Sequence, residues 1–175
     1  KITFYFDGGT ESMVRALNRK RGPIHDEVMF ANDVVDSTVV EVAMQFNESS
    51  FENCLSFANC INTIDGGMHV TGFRAALTRV LNDYGRKTNL LQSALTGEDV
   101  REGLLAVISV RLQEPQFEGQ TKGRLGNPEA RGAVETVVGK FLSEFLEDHP
   151  ADARKILDKA VTAAKAREAA RKARD

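Results

Sequence analysis

Between Glu114 and Glu129 the sequence fits neither a helical nor a strand period, and it gathers groups suited to holding an anion. Gly119 and Gly123 bracket Gln120, Thr121 and Lys122, so the backbone can turn through positive φ there and approach a ligand with no Cβ in the way. The Lys122 ammonium is a compact point charge with three donors, suited to a terminal phosphate. The Gln120 amide can orient a neighbouring oxygen, and Thr121 adds a hydroxyl. A lysine between two glycines is also the ordinary makeup of a solvated turn, so these residue types alone define a candidate and no more.

No other stretch completes a catalytic set. The segment from Gly132 to Gly139-Lys140 has six intervening residues where a phosphate-cradling GxxxxGK[ST] loop needs four, and Phe141 follows the lysine. GxGxxG, paired metal carboxylates and a Ser/His/Asp arrangement do not stand out. His69 lies beside two glycines with no second ligand at metal spacing, which favours a structural hydrogen-bonding role and no metal site. Cys54 and Cys60 form no CxxC pair, so free, buried thiols are expected. Asp99, Arg101 and Glu102 are most simply a short helical turn with paired surface charges.

The elements that must carry the loop can be read from periodicity. Ile2, Phe4 and Phe6 alternate as in a half-buried strand, and a helix pattern follows through Met13, Val14 and Leu17 after Ser12, stopping at Gly22-Pro23. Strand runs are expected at Glu27–Val34, Ser37–Phe46 and Phe51–Ile64. Asp36 and Asn47 to Ser50 give the turns, and Val40, Val42, Met44 and Phe46 share one face. A helix is expected from about Val70 to Tyr84-Gly85. Thr96 to Asp99 has capping character and leads to the apolar run Leu104–Leu112, which reads as a central strand covered on both faces. Asn127, Pro128 and Glu129 read as the N-cap and first turn of a helix whose stripe runs from Val134 to Leu146 and ends at His149-Pro150. Beyond it Ile156, Leu157 and Val161 pack, after which an alanine-rich helix is expected to project.

Composition bounds the class. With 42% hydrophobic and 27% charged residues in 175, the chain has enough apolar content for one packed domain and too much for a disordered one. No apolar run reaches the ~18 residues of a membrane span and no secretory leader opens the chain, so no membrane partner and a cytoplasmic location are expected. The net charge of −2 gives no general affinity for nucleic acid, yet Pro150–Asp175 holds eight basic against four acidic residues. Arg74 and Arg79 lie off the apolar stripe of their helix, as a solvated face would have them or as phosphate contacts to DNA would.

The loop Gln116-Phe-Glu-Gly-Gln-Thr-Lys122, followed by Arg124-Leu-Gly-Asn-Pro-Glu129, resembles that of the transducer domain of type IIA DNA topoisomerases. Pro23-Ile-His25, Asp65-Gly-Gly-Met-His69, Gly72-Phe-Arg-Ala-Ala76, Glu98-Asp-Val-Arg-Glu-Gly-Leu104 and Ala166-Arg-Glu-Ala-Ala-Arg-Lys-Ala-Arg174 fall in the order and spacing of the gyrase B family. The resemblance covers essentially all 175 residues.

It implies an α+β fold: a mixed, mostly antiparallel sheet of about four or five strands with helices on one face, like the second domain of a ribosomal protein. A left-handed βαβ crossover and a long C-terminal helix belong to it. Residues 1–150 would be the transducer α/β domain and 151–175 the helix leading toward a DNA-cleavage domain. Gln120, Thr121 and Lys122 would reach ATP, with Gln120 and Lys122 on its terminal phosphate and with Mg2+ and most ATP contacts in a preceding domain outside this sequence. This chain alone would be inactive. Arg74 and Arg79 would face double-stranded DNA. The implied function is to couple ATP binding and hydrolysis to DNA strand passage and negative supercoiling, with a gyrase A subunit as partner and B-subunit homodimerisation through the outside domain. The competing readings are the B subunit of topoisomerase IV and a stand-alone nucleic-acid-binding module of ribosomal-protein type.

Overall fold

A computed structural model describes residues 9–175; the strand expected at Lys1–Phe6 lies outside the described residues. In chain order the elements are α1 (Gly9–Asn18), β1 (Met29–Val35), β2 (Thr38–Phe46), β3 (Asn53–Ala58), β4 (Ile61–Asn62), α2 (Met68–Lys87), α3 (Gly97–Arg101), β5 (Leu104–Arg111), β6 (Phe117–Glu118), β7 (Arg124–Leu125), α4 (Pro128–Asp148) and α5 (Pro150–Arg174). The main sheet has five strands in the order β1-β2-β5-β3-β4. Among the described strands only β3 and β5 pair in parallel, so the chain crosses over between them through α2 and α3. The sheet is therefore mixed and mostly antiparallel, as expected.

β5 occupies the centre because it has no polar face to give to solvent. Leu104, Ala106, Ile108 and Val110 point into the main core beside Val40, Val42, Met44 and Phe46 of β2, while Leu105 and Val107 point to the other side. On the main side lie the stripes of α2 (Phe73, Ala76, Leu77, Val80, Leu81) and α4 (Val134, Val137, Val138, Leu142, Phe145, Leu146). The two helices touch closely at Gly72, where a Cβ would collide with the backbone of Arg131. On the other side α1 adds a smaller cover, with Val14 packed among Val28, Ala43, Leu105 and Val107. The described part of that helix already includes Gly9 and Thr10, ahead of Ser12, and Glu41 of β2 ties it to the sheet by accepting from Thr10 N at 3.3 Å and from its Oγ1 at 2.6 Å.

Two tight turns shape the hairpins. Asp36 and Ser37 adopt φ of 47° and 70° between the paired Val35 and Thr38, the geometry of a two-residue type I′ turn. Asn59 and Cys60 do the same with φ of 47° and 65°, so the single strand expected over Phe51–Ile64 is in fact two strands, and the turn leaves the Cys60 thiol exposed and not buried as expected, with Cys54 half-buried. Asn59 also exchanges hydrogen bonds with the Leu112 backbone, donating from Nδ2 at 2.9 Å and accepting at Oδ1 at 2.8 Å. This anchors the end of β5, from which the candidate loop departs.

α4 ends at His149, and Pro150 opens α5 directly. α5 does not leave the body where its large apolar residues end. Ala160 and Ala163 are buried, and the Arg167 guanidinium lies among the acids of α3. The exposed part thus begins at Lys165, about one turn beyond Val161, because alanine is small enough to let a helix lie flat against its neighbour.

His69 is fully buried on α2 with Nε2 3.0 Å from Thr63 Oγ1 and with Nδ1 unpartnered, so it is a structural hydrogen-bonding residue. Burial lowers its pKa from 6.5 to about 4. Unfolded chains take up a proton near pH 6.5 and the folded protein only near 4, so stability is full above 6.5 and drains as pH falls through that window. The drain attributable to this residue is about 3 kcal/mol. Urea titrations at pH 7.5 and 4 check this: a His69→Gln variant, whose amide still reaches Thr63, should lose markedly less stability between the two pH values than the wild type.

Candidate functional site

The segment after β5 folds into a small hairpin in which Phe117 pairs with Leu125 and Glu118 with Arg124. Its base is fixed at three places. Asp65 N donates to Gly123 O at 2.8 Å and Leu125 N donates to Gly66 O at 3.1 Å, so the hairpin lies alongside the turn that starts α2. Gly67, with φ of 135°, lies so close to Leu125 that a Cβ would strike the Leu125 backbone; only glycine permits this approach. The Leu125 side chain itself is fully buried in the main core.

The third fixing point is Asn127, which sits at the N-cap position of α4 without capping it. Its Oδ1 instead accepts from Gln116 N at 2.5 Å, and its Nδ2 donates to Glu114 O at 3.0 Å and to Glu129 Oε1 at 2.7 Å. Thus the expected cap is a clamp across the mouth of the loop. An amide with both a donor and an acceptor is needed for that, where a cap needs an acceptor alone. Hydrogen bonding from Asn127 in turn holds the Glu129 carboxyl below its ordinary pKa.

Gly119 to Gly123 form the tip, with φ of 80° at Gly119 and 54° at Lys122. Gln120, Thr121 and Lys122 are brought together there and all three are exposed. The Lys122 ammonium stands 6.0 Å from the Phe117 ring centroid, and among the described residues it makes no ion pair. Its charged neighbours are engaged with each other, Arg124 Nε lying 3.1 Å from Glu118 Oε2. An ammonium, a hydroxyl and an amide therefore project together from a rigidly rooted stalk. Such a group can bind an anion presented by another body without a loop having to order first.

Arg74 and Arg79, both on α2, do not form one patch. Five residues separate them, which turns their side chains about 140° apart on a helix. Arg74 Nη2 lies 3.1 Å from Glu52 Oε1, and Arg101 Nε lies 3.1 Å from the other oxygen of the same carboxylate. Arg79 reaches over Gly139 of α4 into an open hollow shared with Asp83, Glu135 and Lys140, with no ion pair among the described residues. Arg79 is the cation of the two that is free to meet a phosphate.

Asp99 proves to be more than a surface charge. It is buried, its Oδ2 accepts from Thr96 N at 3.0 Å to complete the capping box of α3, and its Oδ1 accepts from Arg167 Nη1 at 2.7 Å. Burial pushes its pKa up, but the hydrogen bonds from Thr96 and Arg167 outweigh that and hold it below the ordinary value. Sequence reasoning missed this contact. The cap was visible as a spacing, but a partner 68 positions away leaves no local signal. Among the described residues no group of three or more His, Cys, Asp or Glu could hold a metal ion, and no helix is long and apolar enough to cross a membrane.

Fold and site together define a mixed-sheet α+β domain that carries an exposed cation at the tip of a surface hairpin. The family profile described as DNA gyrase B matches residues 9–175. The chain is 51% identical to the DNA gyrase B protein of Bacillus mycoides, across all of this chain and 44% of that protein. It is 48% identical to that of Clostridium acetobutylicum, across 98% of this chain and 28% of that protein. Among solved structures, the 43K ATPase domain of Thermus thermophilus gyrase B, in complex with an aminocoumarin, superposes with a TM-score of 0.88 at 42% identity, covering 95% of this chain and 46% of that one. A topoisomerase IV ATP-binding domain from Francisella tularensis gives 0.80 at 27% identity, covering 95% and 45%. The chain belongs to the DNA gyrase B family, and it spans less than half the length of these relatives.

Asn127 provides a test of clamp against cap. Asn127→Ala leaves the Gln116 N–H and Glu114 carbonyl unpaired and should cost about 2–3 kcal/mol, with faster amide exchange over 114–118. Asn127→Ser, which retains a good capping group, should be nearly as damaging; full rescue by serine would mean that the residue is a helix cap after all.

Proposed function

We propose that this chain is the transducer segment of the ATPase subunit of a type IIA DNA topoisomerase of the gyrase kind. Residues 1–150 would form the transducer domain, and 151–175 the helix leading toward the part that cleaves DNA. The observation that carries the reading is the hairpin tip, where Lys122 and Gln120 project unpaired from a base locked to α2, β5 and α4. Similarity to gyrase B ATPase-domain structures, of which the chain covers the equivalent of 46% in the Thermus case, supports a second body bearing the nucleotide.

The donor set fits the terminal phosphate of ATP, since an ammonium without a carboxylate partner and a free amide are both available at the tip. ATP with Mg2+, held mainly by that other body, supplies a phosphoryl group that is transferred to water. Lys122 places a positive charge where negative charge gathers and, by the same contact, holds the domain angle. Gln120 orients an oxygen beside it. Thr121 lies between them on the same turn and completes the binding edge. Release of the contact after hydrolysis frees the angle, an effect worth a few kcal/mol, enough to shift a poised two-state equilibrium. α5 carries the change outward.

Double-stranded DNA, a gyrase A subunit, homodimerisation through the other body and a cytoplasmic setting complete the reading. This chain alone would not hydrolyse ATP. Arg79 is the favoured phosphate contact on the DNA side, because among the described residues it makes no ion pair, whereas Arg74 shares the Glu52 carboxylate with Arg101. The Francisella similarity makes the B subunit of topoisomerase IV the second reading, and 51% identity to a gyrase B protein against 27% there favours gyrase. Negative supercoiling by the reconstituted enzyme, as opposed to decatenation alone, separates the two.

Lys122→Ala in the intact enzyme should lower ATP turnover by ~10²-fold, as for a contact worth ~3 kcal/mol, and leave ADP affinity unchanged. Lys122→Arg should rescue in part only, because a planar fork fills the space differently. Near-normal turnover in the alanine variant would sink the phosphate contact. Arg79→Ala should reduce DNA-stimulated turnover while basal turnover persists, and Arg74→Ala should do so less; equal effects would count against the assignment of Arg79 as the free cation.

A further inference from the structure

The apolar contact of α5 with the body ends at Ala163 and Ala164, and every residue from Lys165 on is exposed. One residue past that limit still reaches back. Arg167 places Nη1 2.7 Å from Asp99 Oδ1, Nε 3.6 Å from Glu98 Oε2 and Nη2 3.7 Å from Glu102 Oε2. Exposed ion pairs as a class fix little. This one differs because its central carboxylate is immobile: the Asp99 side chain is only 6% exposed, and its second oxygen is already spent on the capping box of α3. A planar guanidinium held on a fixed oxygen has a defined direction, and the helix that bears it inherits that direction.

The clasp does not stop at α3. Arg101, on the same short helix, binds Glu52 at 3.1 Å, and the other oxygen of Glu52 binds Arg74 of α2, also at 3.1 Å. α2 in turn begins at the Gly66–Gly67 turn that carries the hairpin backbone. Charge pairs and two helices, α3 and α2, therefore link the exposed end of α5 to the root of the Gln120–Lys122 tip. The apolar core accounts for the inner half of α5 and leaves the outer half to this one side chain.

We propose that Arg167 is a positioning residue: it sets the direction in which the exposed end of α5 leaves the domain, and it ties that direction, through α3 and Glu52, to the helix on which the hairpin is rooted. The structural half stands on this chain alone, and the coupling half rests on the transducer reading above.

Spin labels test the first half. Cys60 is exposed and takes one label, while burial pushes the Cys54 thiol up to about 11, and a Cys54→Ser background removes it altogether. The second label goes on Ala173→Cys, beyond the clasp, or on Thr162→Cys, before it. In the Arg167→Gln variant the 60–173 distance distribution should widen roughly twofold while the 60–162 distribution keeps its width, as local release without unfolding requires. Arg167→Lys should fall between. Unchanged width at 173 overturns the proposal, since apolar packing then sets the direction unaided. Widening at both positions overturns it too, because Arg167 would then support the whole helix.

In the intact enzyme, Arg167→Gln should keep ATP turnover within roughly twofold and lower strand passage per ATP by roughly tenfold, the mark of a coupling defect. Parallel loss of both, or loss of neither, overturns the coupling half. Failure of the transducer reading is seen separately, as near-normal turnover in Lys122→Ala, and leaves the label result standing.

Discussion

A strand that is apolar at nearly every position must be covered on both faces, and β5 imposes that demand on everything around it. To bury Leu104, Ala106 and Ile108 on one side and Leu105 and Val107 on the other, it must lie in the interior of the sheet with helices above and below. β2 flanks it antiparallel from the hairpin that precedes it. β3 can flank it only in parallel, which forces the chain through α2 on the way. The hairpin that carries Lys122 is thus the continuation of the most confined strand, held at its first turn by Asn59 and at its return by Asn127. An exposed functional tip gains its definition from burial at both of its ends.

Those parts of the architecture that depend on periodicity were legible in the sequence. The two-residue alternation of β2, the uninterrupted run of β5 and the stripes of α2 and α4 each reflect a burial demand that a residue meets through its own side chain. The Gln120–Lys122 cluster was legible in part: Gly119 does turn through positive φ, but at the other end Lys122 itself does so, at 54°, and not Gly123. What escaped was every feature decided by a distant partner. Ser12 resembles a cap, but it lies inside α1, whose Thr10 is held by Glu41 of the sheet. Asn127 has the right type for a cap, yet two backbone groups across the loop outbid the helix for its amide. The Asn59–Cys60 turn interrupts a sequence that alternates well enough for one strand, because pairing with β5 on one side leaves β4 free to fold back.

Charge shows the same division. Net charge and the basic excess after Pro150 described the composition of α5 correctly and said little about its work. Once folded, Arg167 is neutralised by α3 and Lys172 lies 3.0 Å from Glu168 on the same helix. Arg74 and Arg79, near neighbours in sequence, part company for a geometrical reason: a helix turns one onto the Glu52 carboxylate and the other into an open hollow of mixed charge with Asp83, Glu135 and Lys140. A count of cations therefore overstates the field that a partner would meet, and only the pairing shows which of them remain available.

The corner between α4 and α5 has a mechanical consequence. His149 stacks on Phe145 with ring centroids 4.2 Å apart and puts Nε2 2.8 Å from Glu27 Oε2, while Leu146 and Ala153 are buried on either side of the bend. Flexing there would expose both arms at once, so the elbow behaves as a welded bracket and not as a pivot. With 25 residues at 1.5 Å each, α5 is a rod of about 37 Å. A rotation of the whole domain by roughly 10° would then sweep the far end of the rod through about 6 Å, so a small tilt at the base becomes a displacement longer than one helical turn at the tip.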